Sequence, residues 1–129
     1  MVQALNLALQ QEMEKDDRVI VLGEDVGVDG GVFRVTDGLI DRFGGERVLD
    51  TPLAENGIVG MSIGMAVYGL KPVCEIQFSG FSYQNFHQIE NHSARLRWRS
   101  RGRYQVPMVL RTPYGGGVRA LEHHSESRE

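Results

Sequence analysis

The sequence predicts an α/β domain built on a largely parallel sheet. Two observations carry that expectation. Helical stretches alternate with short β-branched runs along the whole chain, and parallel strands need such crossovers. The strand-like runs are apolar on both sides, as "RVIVLGED" illustrates, which fits strands covered on two faces. A third observation fits the same scale: 129 residues, 41% of them hydrophobic, suffice for one domain with a real core.

Each element follows from local pattern. Val2, Leu5, Ala8, Leu9 and Met13 recur at helical spacing, and Asp16-Asp17 ends the pattern, which predicts a helix over 2–15. "RVIVLGED" is the first strand, closing on acids, and "GVDGGVF" is a glycine-rich loop. "RVTDGLIDRFGG" reads as a short amphipathic helix stopped by two glycines. "RVLDTP" is a second strand ended by proline, and 55–69 an unusually apolar helix. "KPVCEIQF" is a third strand, holding Cys74 as a small core residue. "SYQNFHQIENHSARLRWRS" predicts one long helix with a polar face, on which Leu96 and Trp98 pack inward. "VPMVLRTP" is a fourth strand. No strand follows the last loop before "SESRE", so the pattern predicts a fragment.

Composition excludes several function classes. A net charge of -3 argues against bulk nucleic-acid binding. The basic run "RLRWRSRGR" then reads as a solvated helix end, whose cations suit a C-terminus. A single cysteine permits no internal disulfide and fits a reducing compartment. "MVQALNLALQQEMEK" lacks the basic start and apolar block of a signal peptide, and no apolar run is long enough for a membrane helix. A soluble cytoplasmic protein is expected.

In open parallel sheets, ligands sit outside the carboxyl ends of the strands. Those ends are "GED", "DTPLAE", "QFSGF" and "RTPYGGG", so acids, glycines and the pair His123-His124 fall on one edge. "YGGGV" lacks the lysine and hydroxyl of a phosphate loop and does not match GxGxxG. The adjacent histidines lack helical metal-ligand spacing, and Cys74 is the only thiol, so no metal site is expected. A loop histidine with satisfied hydrogen bonds and one working in acid–base chemistry both stay open. Glu55 opens the apolar helix. It either complements the helix dipole or, partly buried there, has a raised pKa suited to proton transfer. Gly60 and Gly64 lie one turn apart and predict close approach of another helix, internal or from a partner subunit.

Four separated motifs in order, "VLGEDVGVDGGVFRVTDGL", "DTPLAENGIVGMSIGMAVYGLKPVCEIQF", "ARLRWRSRGR" and "PYGGGVRALEHHS", resemble the beta subunit of the decarboxylating first component of 2-oxo acid dehydrogenase complexes. "GGVFR" and "EIQF" look more like the branched-chain members than the pyruvate ones. The resemblance covers almost the whole chain. It implies a transketolase-like pyrimidine-binding domain for thiamine diphosphate over 1–129, incomplete, with the C-terminal transketolase-like domain absent. It further implies a heterotetramer in which the alpha subunit holds the diphosphate and magnesium while the beta subunit grips the aminopyrimidine. The other implied partners are a second beta subunit, a lipoyl-bearing acyltransferase component and a small 2-oxo acid, with no nucleic acid and no membrane. The isolated chain is then expected to be inactive.

By the same resemblance, Glu55 hydrogen-bonds the pyrimidine ring nitrogen and promotes the imino tautomer that removes the thiazolium proton. Leu53, Gln77 and Phe81 line the pyrimidine pocket, with Phe81 stacked on the ring where some relatives carry tyrosine. His124 falls on an active-site loop histidine that orients substrate and assists reductive acylation of the lipoyl group, and the three glycines give that loop mobility. His123 is secondary. "HSES" replaces the more usual "HSQS", so Glu126 adds a negative charge near a site for anionic 2-oxo acids. A transketolase or deoxyxylulose-phosphate synthase fragment is the rival within the superfamily, and the lack of an upstream cofactor domain speaks against it. A non-catalytic assembly module is the rival outside it, and the presence of Glu55 and His124 speaks against that. The segment 114–129, glycine-rich and polar, is expected to order only with cofactor and alpha partner.

Overall fold

The computed structural model describes residues 1–115, 119 and 124. His123, Glu126 and most of the segment 114–129 expected to order on assembly lie outside that set. Four parallel strands, β1 (Val19–Gly23), β2 (Val48–Asp50), β3 (Lys71–Glu75) and β4 (Val109–Arg111), stand in the order β2-β1-β3-β4. The helices are α1 (Val2–Lys15), α2 (Leu39–Phe43), α3 (Glu55–Val67) and α4 (Ala94–Arg99).

Two apolar clusters cover the two faces of the sheet. On one, Met13 of α1 and Leu39 of α2 pack on Val19, Val21 and Val48. On the other, Ile58, Val59 and Ile63 of α3 pack on Leu22, Cys74 and Ile76, with Leu96 of α4 against them. Every residue of β1 is buried, because the central strand is covered on both faces. The inner face of α3 is Glu55, Ile58, Val59, Ser62, Ile63 and Ala66, a helical repeat hidden inside a uniformly apolar sequence. The Ser62 hydroxyl is satisfied by donating to the Ile58 carbonyl at 2.8 Å. Cys74 is fully buried, and burial pushes its thiol up.

Two expectations are corrected. The single long helix expected over 82–100 is borne out only in part: a 3₁₀ turn at Ser79–Tyr83 takes its start, and the helical stretch over 86–99 passes through a π-helical turn at Gln88–Ser93 into α4. The Ser82 hydroxyl donates to the Ser79 carbonyl at 2.6 Å, closing the first turn in a way that competes with α-helical bonding. Trp98 does not pack inward: it is 88% exposed, while Leu96 packs against the core. Two residues apart on a helix, the side chains point about 200° from each other, so a single face holds only one of them.

Candidate functional site

The last register row of the sheet sets the floor of the carboxyl edge. Asp50, Gly23, Glu75 and Arg111 stand side by side across the four strands. Gly23 is required there by space: a Cβ would lie 2.8 Å from the Glu75 carbonyl oxygen. Glu75 is buried and ion-paired with Arg111, whose pKa burial lowers. Asp50 accepts the backbone N–H groups of Gly27 at 2.6 Å and Val28 at 3.0 Å, which fastens the glycine-rich loop to β2. The Ser79 N–H donates to the Pro113 carbonyl at 2.9 Å, tying the turn after β3 to the stretch leaving β4.

Above this floor stand two acids that the sequence reading quoted as a strand end but did not single out. Glu24 is buried, and burial, then the charges of Glu55 and Asp25, raise its carboxyl. The Ala54 backbone lies near enough to Glu24 to oppose part of that rise, and Glu55 is the next residue, so the head of α3 and the end of β1 come together at Glu24, whose Oε1 is buried without a partner among the described residues. Glu55 is 3% exposed, at the first turn of α3. Among the described residues no hydrogen bond reaches its carboxylate, so a buried acid faces the edge with its oxygens uncommitted.

Asp25 adopts a left-handed conformation at φ 57°, an uncommon state for a residue other than glycine. Its carboxylate accepts the Gln77 Nε2–H at 2.7 Å. A carboxylate only accepts, so the bond fixes which way the Gln77 amide points and leaves its carbonyl oxygen free for a donor. Phe81 packs on the α3 cluster and meets Phe78 edge-on at a centroid distance of 6.1 Å. His124 lies against both rings, 4.6 Å from Phe78 and 5.1 Å from Phe81. Phe33 of the glycine-rich loop reaches Phe78 at 5.7 Å and extends the aromatic row. Leu53 is 80% exposed on the connection before α3.

The structure thus brings together Phe81 and His124 directly, and Glu55 with Gln77 through the neighbours Glu24 and Asp25. Phe78, Glu24 and Asp25 are additions. The signal for the acids was present in "GED" at a strand end. Phe78 carried no signal beyond being apolar.

Comparison with known proteins adds to this geometry. The family described as transketolase, pyrimidine binding domain, matches residues 1–129. The chain belongs to that family. This pyrimidine-binding domain is 57% identical over 129 residues to a pyruvate dehydrogenase E1 component subunit beta from Acholeplasma laidlawii, covering all of the chain and 39% of the relative. It is 55% identical over its whole length to a 3-methyl-2-oxobutanoate dehydrogenase subunit beta of Mycobacterium tuberculosis, covering 37% of that protein. It is 52% identical over 128 residues to a 2-oxoisovalerate dehydrogenase subunit beta of Bacillus subtilis, 99% of the chain and 39% of the relative. The chain therefore spans about two-fifths of the length of these curated relatives. No helix among the described residues is long and apolar enough to cross a membrane.

Proposed function

We propose that this domain is the pyrimidine-gripping part of the beta subunit of a decarboxylating 2-oxo acid dehydrogenase, with thiamine diphosphate shared across an interface with an alpha subunit. The observation that carries the proposal is Glu55: a carboxylate 3% exposed, uncommitted by hydrogen bonds among the described residues, at the carboxyl edge of a parallel sheet. The residues present fit the pyrimidine end of that cofactor. A buried acid matches a ring nitrogen, an oriented amide carbonyl matches an amino group, and an aromatic wall matches the ring face.

Thiamine diphosphate, when bound, would supply the electron sink that accepts the electron pair left behind when a 2-oxo acid loses carbon dioxide. The domain's own residues do the rest. Glu55 holds a proton at the ring nitrogen, and Glu24, kept protonated more readily by burial, limits the charge in the pocket. Asp25 holds Gln77 so that its carbonyl oxygen serves as acceptor. Phe81 and Phe78 exclude water from the ring face and seat the His124 imidazole at the pocket. His124 orients the substrate carboxylate and assists acyl transfer to a lipoyl group on an acyltransferase component. The alpha subunit holds magnesium and the diphosphate, and a second beta subunit completes the assembly. The working location is the cytoplasm. The substrate is a small 2-oxo acid, branched-chain or pyruvate; the similar relatives carry names of both kinds at 52–57% identity.

The test is reconstitution of the full-length protein with its alpha partner, titrated with thiamine diphosphate and assayed on pyruvate and on 3-methyl-2-oxobutanoate. Saturable cofactor binding that needs both subunits supports the proposal. Cofactor binding unaffected by Glu55→Gln would sink it.

A further inference from the structure

The end of α4 carries a surface that the cofactor site does not use. Five of the chain's 14 lysine and arginine residues fall between 95 and 103, and no acid interrupts them. Arg95 is tied to Glu90 at 2.6 Å. Arg97, Arg99, Arg101 and Arg103 have no carboxylate within ion-pair distance among the described residues. Trp98, 88% exposed, stands among them. Together Arg97, Trp98, Arg99, Arg101 and Gly102 line an open basin of about 840 Å³.

This surface is built rather than frayed. The Gly102 N–H donates to the Arg97 carbonyl at 2.8 Å and the Arg101 N–H to the Trp98 carbonyl at 3.0 Å, the paired bonds of a Schellman cap. Arg101 sits in the left-handed position of that cap at φ 53°, where glycine is the usual residue. The Ser100 hydroxyl then accepts the Tyr104 N–H at 3.0 Å. Three backbone N–H groups are therefore pinned, and the arginines and the indole are presented on a fixed frame, which lowers the ordering cost of binding.

Its place is also separate. In a parallel sheet each crossover returns the chain to the amino edge, so the stretch between α4 and β4 lies opposite the edge that carries Glu55.

We infer that the Arg97–Trp98–Arg99–Arg101 surface docks a second protein, through carboxylates ringing an apolar pocket that takes the Trp98 indole. Tryptophan and arginine are the residue types that anchor protein interfaces, and an exposed indole left in water gains by entering a pocket. A concentrated positive patch on a chain of net charge -3 gives the encounter direction and charge complementarity. Nucleic acid fits less well, since a duplex or single strand calls for a basic stripe on a basic domain, whereas this chain has a pI near 5.8.

Trp98 is the only tryptophan in the chain, so its emission reports on this surface alone. The chain is titrated with a random glutamate–leucine copolymer, with polyglutamate and with polyuridylate at matched charge, following Trp98 emission and acrylamide quenching. The copolymer is expected to shift emission to the blue and to shield the indole, more strongly than polyglutamate. The charge-reversed variant R97E/R99E is expected to bind about tenfold or more weakly, and the charge-keeping R97K/R99K to retain most binding. An unmoved spectrum, equal loss in both variants, or a response to polyuridylate with none to the copolymer would overturn the inference.

Discussion

Replacing both Gly60 and Gly64 by alanine is expected to stabilise the chain. Both lie within α3, where glycine costs about 0.8–1.0 kcal/mol relative to alanine. The remaining question is room. A Cβ at Gly60 would meet the Gln88 side chain at 3.5 Å, ordinary van der Waals contact, and at Gly64 it would meet nothing within 4 Å. Nothing is therefore subtracted, and the double variant should gain about 1.5–2 kcal/mol. For a chain of this size that is a rise of roughly 6–8 °C in Tm. Guanidinium unfolding followed by circular dichroism gives the check, with a higher midpoint at unchanged slope. A midpoint that stays or falls would refute the reasoning, because it would mean that the outer face of α3 is already occupied. The same open face gives the opposite sign in an assembly. Gly64→Leu should leave the isolated chain folded yet weaken association with a partner subunit, since overpacking a close contact costs about 1–3 kcal/mol. Sedimentation velocity of the reconstituted protein reads that loss.

Three further outcomes are expected. Glu55→Gln should leave folding intact and cut decarboxylation by the reconstituted enzyme about a hundredfold or more, the scale of acid–base participation; near-normal turnover would remove Glu55 from the chemistry. Glu24 binds its proton more tightly folded than unfolded, so the stability this contributes is full below the ordinary glutamate range and is lost as pH rises through the folded value. Glu24→Gln should therefore gain on the native chain in urea midpoints as pH rises above the ordinary glutamate range, and an advantage that does not change with pH would contradict the burial of Glu24. Glu75→Gln strands the Arg111 cation and should cost about 3–5 kcal/mol, with Glu75→Gln/Arg111→Met recovering part of it in the same assay; a loss under about 1 kcal/mol would mean that the pair is solvated.

Much of the fold was legible because periodicity and strand punctuation are local signals. The four strands and the helices at 2–15 and 55–69 follow from where β-branched runs stop at acids, prolines and glycines. The stretch 79–99 was not legible. Whether its backbone closes as 3₁₀, π or α turns depends on what packs beneath Ser82 and Asn85, both buried, and composition does not encode that. Trp98 misled for a related reason: its size argues for burial, but its phase relative to Leu96 decides. At the site, Glu55 was visible as an acid at the head of an apolar helix. Asp25 was not, since its importance lies in a bond to Gln77, 52 residues away.

The π-helical turn at Gln88–Ser93 acts as a phase shifter. A π turn holds one residue more than an α turn over the same span, so it offsets all that follows by about 100° relative to an uninterrupted α-helix. Deleting one residue between 88 and 93 would let that stretch close as α-helix with Leu96 still on the core. Closing it as α-helix at its present length would instead rotate Leu96 off the core and sweep the arginines and indole round to another bearing. Reading frame along a helix is usually silent on a solvated face. Here the π turn absorbs one residue without disturbing which side chains meet the α3 cluster and which are shown to other molecules, so a further insertion that it did not absorb would be felt at both.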